Sequence, residues 1–234
     1  MPLAALNCRW TPHQLPLGAA ECTQIGDIYK YQNKEYDMVA LSVPIPFHPK
    51  NYGLEPHASC TACYRGYWCE YEISDELLLN KLYLFNIDGN YPPLNGVDIS
   101  PPEFVECKTY AGSGKGWVNA MRPAYLGHRV YKDVHLPINH TGRVLLGRKP
   151  VPTYHIHGVW DTPWQYTDLQ EFVFEDGILM DIIDQSETAR DIRKVIRTLA
   201  RSEPESRGTM GTFVRVDLGV LDLIGANAWW IEKK

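Results

Sequence analysis

An α+β protein rich in strands, with two antiparallel-sheet lobes and one long amphipathic helix, is the fold class the sequence predicts. Three observations carry that prediction. The 234 residues include 17 Pro, 18 Gly, 14 Tyr and 7 Trp, the texture of short strands between tight turns. Residues 169–174 (LQEFVF) and 178–183 (ILMDII) flank Glu175-Asp176-Gly177, a strong hairpin signal. Residues 187–201 repeat apolar side chains with a helical period.

The elements follow in order. Residues 1–22 read as an arm interrupted by Pro12 and Pro16. Its apolar stretch precedes the first basic residue, Arg9, which reverses the order of a secretory leader. The six cysteines (Cys8, Cys22, Cys60, Cys63, Cys69 and Cys107) are therefore expected as reduced thiols in the cytoplasm. The first lobe is expected over 23–116, with strands at 67–73 (YWCEYEI) and 82–87 (LYLFNI), the second closed by Asp88-Gly89-Asn90. Stretches 44–59, 88–103 and 202–211 read as loops.

The second lobe is expected over 117–234, with strands at 129–136, 151–157, 169–174, 178–183, 212–218 and 227–231. An echo links the halves. Lys34–Ile45 and Arg129–Ile138 each precede an aromatic-rich hairpin, which suits either a duplication or the common look of such hairpins. In the helix, Ile192, Val195, Ile196 and Leu199 share one stripe. Ser186 or Asp184 can cap its start, and Glu187 and Arg201 suit its dipole. Arg190, Arg193, Lys194, Arg197 and Arg201 are expected on the opposite, solvated face.

Composition narrows function. With 44% hydrophobic and 22% charged residues the chain is globular in class, and it holds no apolar run of the ~20 residues a spanning helix needs. A net charge of −5 argues against nucleic acid as a general partner. His57-x2-Cys60-x2-Cys63-x5-Cys69 gathers four soft ligands, but a structural zinc site needs a second separated pair, and Cys107 stands alone. Structural thiols are expected there and no metal. His155 and His157, followed by Asp161, resemble the first metal motif of cupins, yet no His follows His157. The pair is read as the polar face of a strand. Ala111–Gly116 (AGSGKG) fails as a phosphate loop, because Thr109 and Gly116 replace the required Gly and hydroxyl. No metalloprotease, nucleophile-elbow or kinase motif is present, and neither a catalytic residue nor a cofactor is assigned. A Ser–His or Cys–His set assembles in space, so a missing linear motif says little about one.

Two segments combine rings with charge: Tyr64-Arg65-Gly66-Tyr67-Trp68 and Trp160-Asp161-Thr162-Pro163-Trp164-Gln165-Tyr166. Such residues either fill a β core or form the anchors of a binding surface. The aromatic-Arg-Gly-Tyr segment, with His157, Gly158, Pro163 and Trp164 later, resembles a family of uncharacterised bacterial proteins of similar length. The likeness covers roughly residues 25–200 and implies no established activity. In size and style that family is similar to immunity and defence-island proteins.

The leading expectation is a cytoplasmic, non-enzymatic protein of the immunity, antitoxin or antiphage-defence kind that binds another protein, with Arg65, Tyr67, Trp68, His157, Trp160, Trp164, Arg193 and Arg197 as contacts. The basic helix face suits an acidic surface on that partner. One rival is a small hydrolase or nucleotide-processing enzyme with a cleft around Arg65, His157 and Asp161. Another is a sugar- or nucleotide-binding module using Trp160 and Trp164.

Overall fold

The structure, a computed structural model, describes residues 25–44, 47–60, 62–110, 117–151 and 162–202. Its strands are β1 (Ile28–Tyr31), β2 (Lys34–Leu41), β3 (Tyr67–Ile73), β4 (Leu77–Leu84), β5 (Phe104–Tyr110) and β6 (Trp117–Pro123). Then come β7 (Arg129–Tyr131), β8 (Leu136–Pro137), β9 (Gly142–Pro150), β10 (Tyr166–Glu175), β11 (Ile178–Asp184) and the helix α1 (Ser186–Ser202). The fold is β-rich, with a large mixed sheet and a small antiparallel one, and α1 is the one α-helix among the described residues. No described helix is long and apolar enough to cross a membrane. The chain divides into two units that interleave along the sequence, whereas the sequence suggests consecutive lobes.

One unit takes Ile28–Pro46, Ile73–Leu77 and Ile138–Lys234. Its strands pair in the antiparallel order β11-β10-β9-β2-β1. Both hairpins turn on two residues at positive φ, Gln32-Asn33 (49° and 61°) and Asp176-Gly177 (49° and 85°). That geometry matches the twist of the flanking strands. Val144, Leu145 and Leu146 of β9 are all fully buried, so this strand is covered on both faces and lacks polar–apolar alternation. A Cβ on Gly147 would stand 2.4 Å from the Tyr166 ring. The bare backbone there admits the ring, and the Tyr166 hydroxyl donates to Asp37 at 3.1 Å.

Helix α1 packs on β10. Its Ala189 joins Leu145, Tyr166 and Leu169 in one buried cluster, and Ile192 and Ile196 are buried too. The Asp184 carboxylate accepts the Ser186 N–H at 2.8 Å, and the Ser186 hydroxyl accepts Leu169 N–H at 3.0 Å. The buried row is thus 189, 192, 193 and 196, and it includes Arg193, which is only 8% exposed. This corrects the solvated position the sequence suggests for it. At about 100° per residue Arg193 lies close to Ala189 and Ile196, and its stem can cross apolar ground while its head finds acceptors.

The other unit takes Phe47–Glu72 and Leu78–Pro137, with the chain up to Asp27. Here β4 pairs β7 through Leu82↔Tyr131 and β8 through Leu79↔Leu136. β5 and β6 form a separate hairpin whose connection, residues 111–116, lies outside the described residues. Five consecutive residues of β3, Tyr67 to Tyr71, are buried. The buried Glu70 among them receives hydrogen bonds from Lys81 at 3.0 Å and from the Tyr83 hydroxyl at 3.5 Å. The strand expected at 82–87 runs from Leu77 to Leu84; beyond it Asn86 folds the chain, accepting Asp88 N–H and donating to Asn90 O. The strand expected at 129–136 is broken, with Asp133 and His135 at positive φ between β7 and β8. The strands expected at 212–218 and 227–231, and most of 151–157, lie outside the described residues.

Candidate functional site

The segment from His57 to Cys69 folds back on itself. His57 N–H donates to Phe85 O at 2.8 Å, Phe85 N–H to Gly66 O at 2.9 Å, and Gly66 N–H to Cys63 O at 3.2 Å. Gly66 has φ +75°, and a Cβ there would lie 2.2 Å from the His57 carbonyl oxygen. The sequence therefore needs glycine between Arg65 and Tyr67.

Arg65 is turned inward. Its guanidinium forks onto both carboxylate oxygens of Asp27, a residue 3% exposed, and its Nε donates to Tyr67 O at 2.7 Å. The same Asp27 accepts Cys69 N–H at 2.7 Å. The guanidinium also lies 4.7 Å over the Tyr67 ring. Burial works against its charge, but the Asp27 carboxylate outweighs that and raises the pKa. Tyr67 and Trp68 are buried, at 2% and 7% exposure. The outward-facing anchors expected at Arg65, Tyr67 and Trp68 are thus a buried ion pair and two core rings, with only Tyr64 of the segment well exposed.

Behind Trp68 lies an aromatic group around a histidine. Trp68 stacks on Tyr83 at 4.6 Å, and the His128 ring is 4.5 Å from Trp68 and 5.8 Å from Phe85. His128 Nδ1 lies 2.8 Å from Tyr125 O, and Nε2 lies 3.3 Å from Ser59 Oγ. Burial lowers the His128 pKa to about 4, against a small opposing effect of the Tyr125 carbonyl. Sequence reasoning missed this pair, because nothing local marks two residues 69 positions apart as neighbours.

Two of the cysteines, Cys63 and Cys69, are sealed thiols, while Cys60 is half-buried. Cys63 and Cys69 are buried, which pushes the first up to about 11 and the second well above its ordinary value. Among the described residues no group of three or more His, Cys, Asp or Glu is placed to hold a metal ion.

In the other unit Arg193 and Trp164 meet, through the backbone. Arg193 Nη1 donates to Trp164 O at 3.0 Å and to Tyr166 O at 2.6 Å. Trp164 is half-buried in a 3-10 turn, Pro163–Gln165. Arg197 is exposed on α1. Arg190 pairs with Glu187, and Lys194 with Asp191 at 2.7 Å, so this face carries its own counter-charges. His155, His157, Trp160 and Asp161 lie outside the described residues. No family model, curated protein or solved structure matches the chain.

Proposed function

We propose that the chain binds another protein by accepting an extended segment of it along the edge of β11. One observation carries this reading. β11 ends the pairing order, and Ile178, Met180 and Ile183 on it are exposed. Its first residues are covered, since Leu179 N–H donates to Asp75 O and Glu76 bridges Ile178. From Met180 to Asp184 no strand pairs its outer side among the described residues. An open edge with exposed apolar side chains is a template for strand addition. Glu175, Asp176, Asp181, Asp184 and Glu187 are exposed around it, and residues 169–189 include no Lys or Arg. The segment that fits is therefore apolar and basic, unlike the acidic surface that a basic helix face would select.

An immunity- or antitoxin-like role in the cytoplasm is the form of this reading with which free thiols at Cys60, Cys63 and Cys69 agree. The test uses a photo-crosslinking residue at position 183, with a second at 72 on β3 as control. The captured protein is then purified and its affinity measured against Met180→Pro and Ile183→Asp. The expected result is crosslinking at 183 alone and at least about tenfold weaker binding by both variants, with melting unchanged. Equal binding by wild type and both variants would refute the reading.

A further inference from the structure

Ser59, half-buried and next to the exposed Ala58, faces the buried His128 ring. The tautomer of His128 follows from its neighbours. A carbonyl oxygen only accepts, so the 2.8 Å contact with Tyr125 O places the proton on Nδ1. In the neutral ring Nε2 then has a lone pair and must accept. Ser59 Oγ, at 3.3 Å, supplies the hydrogen. The other acceptors near that hydroxyl are two thiol sulfurs, Cys60 Sγ at 3.8 Å and Cys63 Sγ, both weak. A hydroxyl donating to an imidazole whose far nitrogen is anchored is the nucleophile–base–orienter arrangement of acyl-transfer enzymes, here with a backbone carbonyl as orienter.

We propose that Ser59 is an acyl-accepting nucleophile, with His128 as its base and Tyr125 O as the positioning group, acting on esters of small apolar acyl groups. Ser59 Oγ bonds to the acyl carbon as its proton passes to His128 Nε2. The ester C–O bond breaks, and the leaving alcohol takes the proton from Nε2. Water then gives a proton to Nε2 and its oxygen to the acyl carbon, and Ser59 leaves with that proton, releasing a carboxylic acid. The preference for apolar acyl groups comes from the half-buried rings of Phe85 and Tyr125 beside the pair. This chemistry stands apart from the β11 edge and does not depend on it.

The groups that face His128 are Ser59, the Trp68 and Phe85 rings and the Tyr125 carbonyl, and Cys60, Cys63, Tyr83 and the rest of Tyr125 pack in the cluster that holds Trp68. Beyond them lie Glu70 with Lys81, and Glu103 with Lys132. Burial, with the Tyr125 carbonyl, sets the imidazole, so the base is ready above about pH 4.

The test is labelling of the intact protein with a fluorophosphonate, together with hydrolysis of p-nitrophenyl acetate. The expected result is one adduct, on Ser59, and loss of both activities by about 10²-fold or more in Ser59→Ala. In wild type the labelling rate should rise through about pH 4 and then stay level to about pH 8. His128→Gln should lose labelling while intrinsic tryptophan fluorescence and the melting curve report whether its fold survives. The proposal is overturned if Ser59 takes no label. It is equally overturned by a wild-type rate that climbs tenfold per pH unit to about pH 9, the mark of an unassisted hydroxyl.

Discussion

The guanidinium of Arg193 donates to the backbone carbonyl of Tyr166 at 2.6 Å, where the chain enters β10. The same nitrogen serves Trp164 O, so one helix side chain pins the 3-10 turn beside that strand. Removing it leaves two carbonyls without their charged donor. Arg193→Ala should lower unfolding free energy by about 1–3 kcal/mol, while Arg197→Ala changes it by less than about 0.5 kcal/mol. Urea denaturation of the two variants side by side measures the contrast.

Arg65 and Asp27 should be inseparable. Deleting one partner of a buried pair strands the other's charge, which costs about 3–5 kcal/mol for full burial. Because the Arg65 side chain keeps 26% of its exposure, the lower end applies. Arg65→Ala should therefore cost roughly 2–3 kcal/mol, with Asp27→Ala comparable or larger. Thermal melts showing no shift for Arg65→Ala would place the guanidinium in solvent.

Gly66 and Gly96 share nearly the same backbone, at φ +75° and +78°. They differ in surroundings: a Cβ on Gly66 meets the His57 backbone at 2.2 Å, and one on Gly96 meets nothing within 4 Å. Gly96→Ala should cost only the left-handed strain, about 1–2 kcal/mol. Gly66→Ala adds a clash with immovable backbone and should cost at least about 2 kcal/mol more. Denaturant midpoints of both variants separate the two contributions.

Stability should fall on mild acidification. The folded pKa of His128 is depressed to about 4 from 6.5, so its neutral form is favoured by folding. At pH 7.5 neither state binds the proton and nothing is lost. As pH drops below about 6.5 the unfolded chain protonates while the folded one does not, and up to roughly 3 kcal/mol disappears by about pH 4. Buried His140 acts in the same direction. The loss assigned to His128 is the part absent from His128→Gln in unfolding curves at about pH 7.5 and 5.

Local chemistry was readable in the sequence. The β10–β11 hairpin and α1 are written in short-range signals, namely a turn able to take positive φ and a 3.6-residue period. β3 falls at Tyr67–Ile73 because its run of rings and β-formers is bounded by Gly66 and Ser74. What stayed hidden depends on partners distant in sequence. β9 is buried on both faces, so Gly142–Pro150 shows no alternation to betray it. Arg65 looks like a surface anchor until Asp27, 38 positions away, is seen opposite it. Arg193 reads as solvated because charge is easier to see in a sequence than the carbonyls that receive it. The Ser59–His128 pair has no linear trace at all.

The pairing of β2 with β9 joins Asp37 to Gly147, roughly 110 residues apart in sequence. During synthesis the β1–β2 hairpin leaves the ribosome long before its neighbour exists. At ordinary elongation rates that interval is on the order of ten seconds. In that time β2 offers an unpaired edge to any other nascent chain. β9, β10, β11 and α1 follow one another closely and can assemble by themselves, so the early hairpin is the piece that must wait. Newly made chains are therefore most exposed to misassembly while the stretch between the two strands is being translated, and a holding chaperone would act on β1–β2 in that interval.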